Sequence, residues 1–230
     1  MLRHLRLIAV DIDGVLLSDT FSPVIHRFVV SRGGRYTAEL ERAVLSRPRL
    51  QAAAAMGVPG TPEELVEAYF RERAEYLRAH PVVVQEGAER LLRRLRRLGA
   101  AVVCYGGLGY AHFDQHLSSY SDYFDEPRYV CTDGFRPGLR EITADLFGYR
   151  YDQALFIDDA ASVAEAARRL GTGFIGFPSQ YEHGFQRASM REAQVRHLVD
   201  CLDGIDDELL HTVDAECAAA HARAAGSRVA

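Results

Sequence analysis

Two pairs of aspartates are the residues in this sequence best placed to do chemistry. Asp11 and Asp13 stand in Asp11-Ile12-Asp13-Gly14-Val15, directly after the apolar run Leu5 to Val10. Asp158 and Asp159 directly follow a second apolar run, Ala154 to Ile157. Carboxylates crowded together repel one another, and a cation offsets that repulsion. A hard divalent ion does so, and oxygen-only ligands with open water positions suit Mg²⁺. The sequence has no CxxC or HExxH motif, which argues against zinc. Two residues apart in an extended turn, Asp11 and Asp13 need not share one task. One can face a metal and an electrophile while the other reaches toward a leaving group. Strand-end loops and helix caps account for either pair taken alone. Both pairs behind apolar runs, with Gly14 at the turn, favour a site. Asp13-Gly14 also matches part of a calcium loop, but the other EF-hand ligands are missing.

The elements that must position these residues are short and unbroken. Leu5 to Val10, Ala100 to Cys104, Arg128 to Cys131, Ala154 to Ile157 and Gly173 to Phe177 read as strands stopped by Asp, Gly or Pro. Continuous apolar runs fit strands covered on both faces of a parallel sheet. Between them, Glu89 to Leu98 sets Leu91, Leu92, Leu95 and Leu98 on one face and stops at Gly99. Ser162 to Leu170 is alanine-rich and stops at Gly171, and Glu141 to Phe147 is a further helical run. This alternation predicts an α/β fold, a doubly wound Rossmann-like parallel sheet. Residues 18–85 differ, with helical patterns and no convincing strand. Thr61-Pro62-Glu63-Glu64 there is a helix start with a capping box. We read 1–17 and 86–202 as the core, 18–85 as an all-helical cap, and 203–230 as an acidic then alanine-rich helical tail with a frayed tip.

With these motifs in place, the chain resembles the haloacid dehalogenase superfamily, in the branch with a helical cap after the first motif. The resemblance covers about residues 5 to 200. It rests on Asp11-Ile12-Asp13-Gly14-Val15 paired with Asp158-Asp159, on Ser121-Asp122-Tyr123-Phe124-Asp125, and on Ala-Ala-Arg-Arg-Leu-Gly ending at Gly171. It implies that Asp11 is a nucleophile forming an aspartyl-phosphate and that Asp13 is the general acid and base. It implies Mg²⁺ held by Asp11, the Asp13 backbone carbonyl and Asp159, with Asp158 a ligand or a partner beside it. Asp13 favours phosphoryl transfer from an oxygen ester, since the dehalogenating members lack this second aspartate. The expected substrate is a small phosphorylated metabolite, because a cap excludes bulky ones.

Two positions depart from the resemblance. Val102-Val103-Cys104-Tyr105-Gly106-Gly107 offers Gly106 or Gly107 where the family places a phosphate-binding hydroxyl, with Tyr105 or Cys104 as poorer substitutes. Arg136-Pro137 stands where a lysine is usual, and the chain contains no lysine. Glycine can bring backbone N–H groups to phosphate and arginine can bind it bidentately. Arginine does not reproduce a compact ammonium bridging two carboxylates. A binding or regulatory protein with weak or no turnover is therefore the competing expectation. A receiver-type domain needs a lysine.

Composition limits the other classes. A net charge of -5 gives no general attraction to nucleic acid or an anionic membrane, and no stretch approaches the roughly 18 apolar residues of a membrane span. Arg93-Arg94-Leu95-Arg96-Arg97 reads as the solvated face of a leucine-striped helix. His112 and His116, four apart, are read as exposed or packing residues rather than a metal pair. The amino terminus lacks the pattern of a secretory signal, and four scattered cysteines fit free thiols in the cytoplasm.

Overall fold

The computed structural model describes residues 1–45 and 47–226. Its core is a parallel sheet of β1 (Leu7–Asp11), β2 (Ala101–Gly106), β3 (Tyr129–Cys131), β4 (Ala154–Asp158) and β5 (Gly173–Gly176). The strand order is β3-β2-β1-β4-β5. The chain therefore builds outward from β1 on one side, then returns to pair β4 with β1 on the other. Ligands in open α/β sheets collect at the carboxyl ends of strands at such a reversal. Here it brings the ends of β1 and β4 together.

Both faces of the sheet are covered, which is why its strands read as continuous apolar runs. On one face Ile8, Val10, Val102 and Leu155 pack against α5 (Ala88–Arg96), α6 (Tyr110–Leu117) and α9 (Asp207–Gly226). On the other, Leu7, Ala9, Val103 and Phe156 pack against α7 (Ala161–Leu170) and the turn of π-helix Glu141–Leu146. Leu91, Leu92 and Leu95 of α5 are fully buried, each stabilising the fold by roughly 1.5–3 kcal/mol. Gly171 at φ 77° caps α7 in the left-handed region as expected, whereas α5 ends at Arg96, earlier than the expected stop, and Gly99 at φ 80° follows a short turn. Glu141–Leu146 departs from the expected α-helix by winding more widely and closing at Gly148, φ 67°. A short helix α8 (Gln186–Glu192) follows β5.

Between β1 and α5 lie α1 (Ser22–Ser31), α2 (Ala38–Leu45), α3 (Arg49–Ala55) and α4 (Pro62–Ala79). They share their own apolar cluster, including Val24, Phe28, Ala53, Leu65 and Tyr69. The capping box at α4 is formed, Thr61 accepting from the Glu64 N–H while Glu64 accepts from the Thr61 N–H. The segment leaves and rejoins the core through a narrow ladder: Ser18 N–H donates to Val83 O at 2.8 Å and Gln85 N–H to Leu16 O at 2.9 Å.

The carboxyl-terminal helix is part of the core. Its buried Asp214 accepts the backbone N–H groups of Arg3, His4 and Leu5 at 2.9, 2.9 and 2.7 Å, holding the residues that lead into β1. Burial alone would raise the Asp214 carboxyl, but these donors bring it below the usual carboxylate range. Replacing Asp214 with alanine is expected to cost about 2 kcal/mol, a fall in Tm of roughly 4–8 °C by calorimetry. The expected frayed tip, residues 227–230, lies outside the described residues.

Candidate active site

The parallel register of β1 and β4 pairs Val10 with Ile157, so Asp11 and Asp158 leave the sheet side by side. Period-2 alternation places both on the face that carries Leu7, Ala9 and Phe156. Tyr105, paired with Asp11 across β2, lies on the same face and sends its hydroxyl past β1 to Asp158 Oδ2. The Ala160 N–H donates to Asp158 Oδ1 at 2.7 Å. Both oxygens of Asp158 are therefore engaged. Of the two roles implied for Asp158, this arrangement fits a partner that steadies the strand end better than a free metal ligand.

The next residues face the cavity. Asp11, Asp13 and Asp159 line a space of about 110 Å³ between the sheet and the four helices, together with Gly107, Asp133 and Arg136. Gly14, at φ 95°, turns the chain back so that its N–H reaches Leu17 O at 2.9 Å. A β-carbon on Gly14 would collide with the Asp159 carboxylate. Glycine at this turn thus permits the first and last motifs to touch.

Charge is poorly balanced here. Burial raises the Asp11 carboxyl well above its ordinary range, and Asp158 and Asp159 push it the same way; Arg136 opposes them. Asp159 is raised by burial and then by Asp158 and Asp19, again against Arg136. Burial also raises Asp158, to about 6, against its bonds from Tyr105 and Ala160. One guanidinium thus faces three carboxylates. Arg136 is a site residue rather than a solvent arginine: it packs on Gly107 so closely that a β-carbon there would collide with it.

The other second-motif positions resolve unequally. Gly107 lines the cavity, whereas Gly106 does not. Gly106 is the last residue of β2, pressed against Ile12 and Tyr129, with its carbonyl accepting from the Thr132 N–H and hydroxyl. Of the two glycine positions expected near phosphate, Gly106 or Gly107, only Gly107 faces the cavity. Tyr105 serves Asp158, and Cys104 is buried in the core, so neither replaces the missing hydroxyl.

His112 packs, as one of the two readings expected of it, but it also has a partner that the sequence did not reveal. Its Nε2 lies 2.8 Å from Asp13 Oδ1, with both side chains about nine-tenths buried, and His116 packs edge-on against it at 4.9 Å. The i, i+4 histidines after the second motif were the signal, but their partner was a carboxylate 99 residues away. Arg49 and Asp133 gave no such signal. Arg49 of α3 reaches Asp133 Oδ2 at 3.1 Å and donates to Gly107 O at 2.8 Å, tying the helical segment to the second-motif loop. Glu41 of α2 makes a second tie, accepting from the Phe185 N–H and from Gln186 Nε2.

Among the described residues no three His, Cys, Asp or Glu side chains form a ready metal cage. Mg²⁺ does not require one, since it is commonly held by one or two carboxylates plus waters and substrate phosphate. Asp11 and Asp159, all-oxygen donors and short of positive charge, fit such an ion. No described helix is long and apolar enough to cross a membrane.

No family model matches the chain, and no curated protein matches its sequence. Solved structures do match in fold. A predicted phosphatase from Clostridium acetobutylicum superposes with TM-score 0.65 at 17% identity, covering 90% of this chain and 99% of that one. A haloacid dehalogenase-like hydrolase from Streptococcus pneumoniae gives 0.61 at 15%, covering 86% and 95%. A HAD family hydrolase from Deinococcus radiodurans R1, with bound phosphate and sodium, gives 0.59 at 15%, covering 90% and 95%. The chain has the fold of these haloacid dehalogenase-like hydrolases, a parallel Rossmann-like sheet with a helical segment inserted after its first strand.

Proposed function

We propose that the protein is a Mg²⁺-dependent phosphohydrolase acting on a small phosphorylated metabolite through an aspartyl-phosphate on Asp11. The observation that carries this reading is the cavity floor, where Asp11 and Asp13 meet Asp159, Gly107 and Arg136. Asp11 attacks phosphorus in line as the ester oxygen departs, and Asp13 delivers a proton to that oxygen. Asp13 then takes a proton from water, whose oxygen displaces Asp11 and releases inorganic phosphate. Arg136 and the Gly107 backbone hold the non-bridging oxygens, a task usually shared with a hydroxyl. Asp11, Asp159 and the Asp13 carbonyl would hold Mg²⁺, which would neutralise the carboxylates and the phosphate charge. The helices above the floor keep bulk water and large substrates out. Four free cysteines support a cytoplasmic setting.

The test is phosphate release from a panel of small phosphomonoesters with and without Mg²⁺. Release that depends on Mg²⁺ supports the reading. Phosphometabolite binding without release from any member would favour the second one, a binding protein on this scaffold, which the Arg136–Gly107 arrangement motivates.

His112 should matter to turnover through Asp13. Changing His112 to alanine removes the 2.8 Å contact and is expected to lower kcat roughly 10- to 100-fold with KM nearly unchanged. Glutamine, which can still reach Asp13, should restore most of the loss. Steady-state kinetics on the two variants checks this.

A further inference from the structure

The wall opposite the carboxylates differs in character from the floor. Phe21, Ile25, Val44, Met56, Val66 and Phe70 line the cavity from the helical segment. Tyr69 contributes its ring, and its hydroxyl is buried without a partner.

Two of the polar side chains near that wall, Asp19 and Arg49, are committed elsewhere. Asp19 accepts the Phe21 and Ser22 N–H groups on one oxygen and the Ser179 hydroxyl on the other. Arg49 is held by Asp133 and the Gly107 carbonyl. Arg47 also lines the cavity but is exposed to solvent. A polyhydroxylated leaving group would enter this space with most of its hydroxyls unpaired, and buried polar groups are disfavoured there. An apolar body would instead replace water against Phe21, Ile25, Val44, Met56, Val66 and Phe70, whose side chains cannot bond to it.

We infer that the alcohol released from the phosphoester is a compact apolar one, alkyl or aryl, rather than a sugar or other polyol. Val66 and Ala53 are specificity-determining positions, since both line the wall. The inference rests on the cavity being the phosphoester site proposed above. Val66 is half-buried, so its wall position can be altered without emptying the core.

Binding, measured by titration calorimetry in the presence of Mg²⁺, separates this inference from the question of turnover. The probes are benzylphosphonate and 2,3-dihydroxypropylphosphonate, neither of which is a hydrolysable ester. Benzylphosphonate is expected to bind at least roughly tenfold more tightly, the scale of one apolar group in a fitted pocket. Val66→Thr, nearly the same shape with one added hydroxyl, should cut that ratio several-fold. Equal affinities, a preference for the dihydroxy probe, or binding of neither overturns the inference. An unchanged ratio in both Val66→Thr and Ala53→Ser removes the wall as its source. A protein that hydrolyses no ester yet keeps the preference defeats the proposed reaction, and with it the released alcohol, leaving only an apolar binding preference of the wall; an active enzyme without the preference overturns the inference and leaves the reaction standing.

Discussion

Replacing Asp11 with asparagine is expected to abolish phosphate release, lowering kcat by at least about 10⁴-fold, the scale seen when a nucleophile is removed. Asparagine keeps the size and the strand position of Asp11, whose side chain emerges at the end of β1 beside Asp158. It cannot attack phosphorus as a carboxylate does, and no neighbouring group is set to substitute. Asp158 has both oxygens engaged, and Asp13 is held by His112. Binding of a non-hydrolysable phosphonate should survive in this variant, because Arg136 and Gly107 are untouched. Release at the wild-type rate from the purified variant would rule out Asp11 as the nucleophile.

Mg²⁺ should stabilise the folded protein, and more strongly at about pH 8 than at about pH 5. The sign follows from the raised carboxyls. Asp11, Asp158 and Asp159 all have folded-state pKa values above the ordinary one, with Asp158 at about 6. A group raised in this way adds stability below its unfolded pKa and loses it as pH rises through the folded value. The metal-free site is therefore most strained once its carboxylates are charged, which is when a divalent cation binds best. His26 and His116, depressed chiefly by burial, act in the opposite sense over part of this window. The difference in Tm with and without Mg²⁺ at each pH isolates the carboxylate site from them. At about a hundred times its Kd the ion contributes about 2.7 kcal/mol, a rise of roughly 5–11 °C. Asp11→Asn removes one crowded charge, so the metal-free variant should be more stable than the wild type at about pH 8 by about 1–2 kcal/mol, with a weaker response to Mg²⁺. An equal Mg²⁺ effect at both pH values would mean that these carboxylates do not bind it.

What the sequence determined by itself was local. Unbroken apolar runs mark strands because both faces of a parallel sheet are buried, and glycines after leucine or alanine stripes mark helix ends because they accept positive φ. The ends of β1 and β4 could thus be read, along with Asp11, Asp13, Asp158 and Asp159 upon them. The α4 start was equally legible, since a capping box is closed within four residues.

Tertiary structure decided how each group is used. Asp158 and Asp159 look alike in sequence, yet one is bound by Tyr105 and Ala160 while the other meets the cavity beside Gly14. Gly106 and Gly107 are neighbours, but strand direction turns the first into the core and leaves the second under Arg136. His112 meets Asp13, and Arg49 meets Asp133, only because the sheet order and the returning helices bring distant segments together. Such contacts depend on the packing of whole elements, which no residue spacing along the chain encodes. The same packing sets the apolar side chains of the four helices over a charged floor.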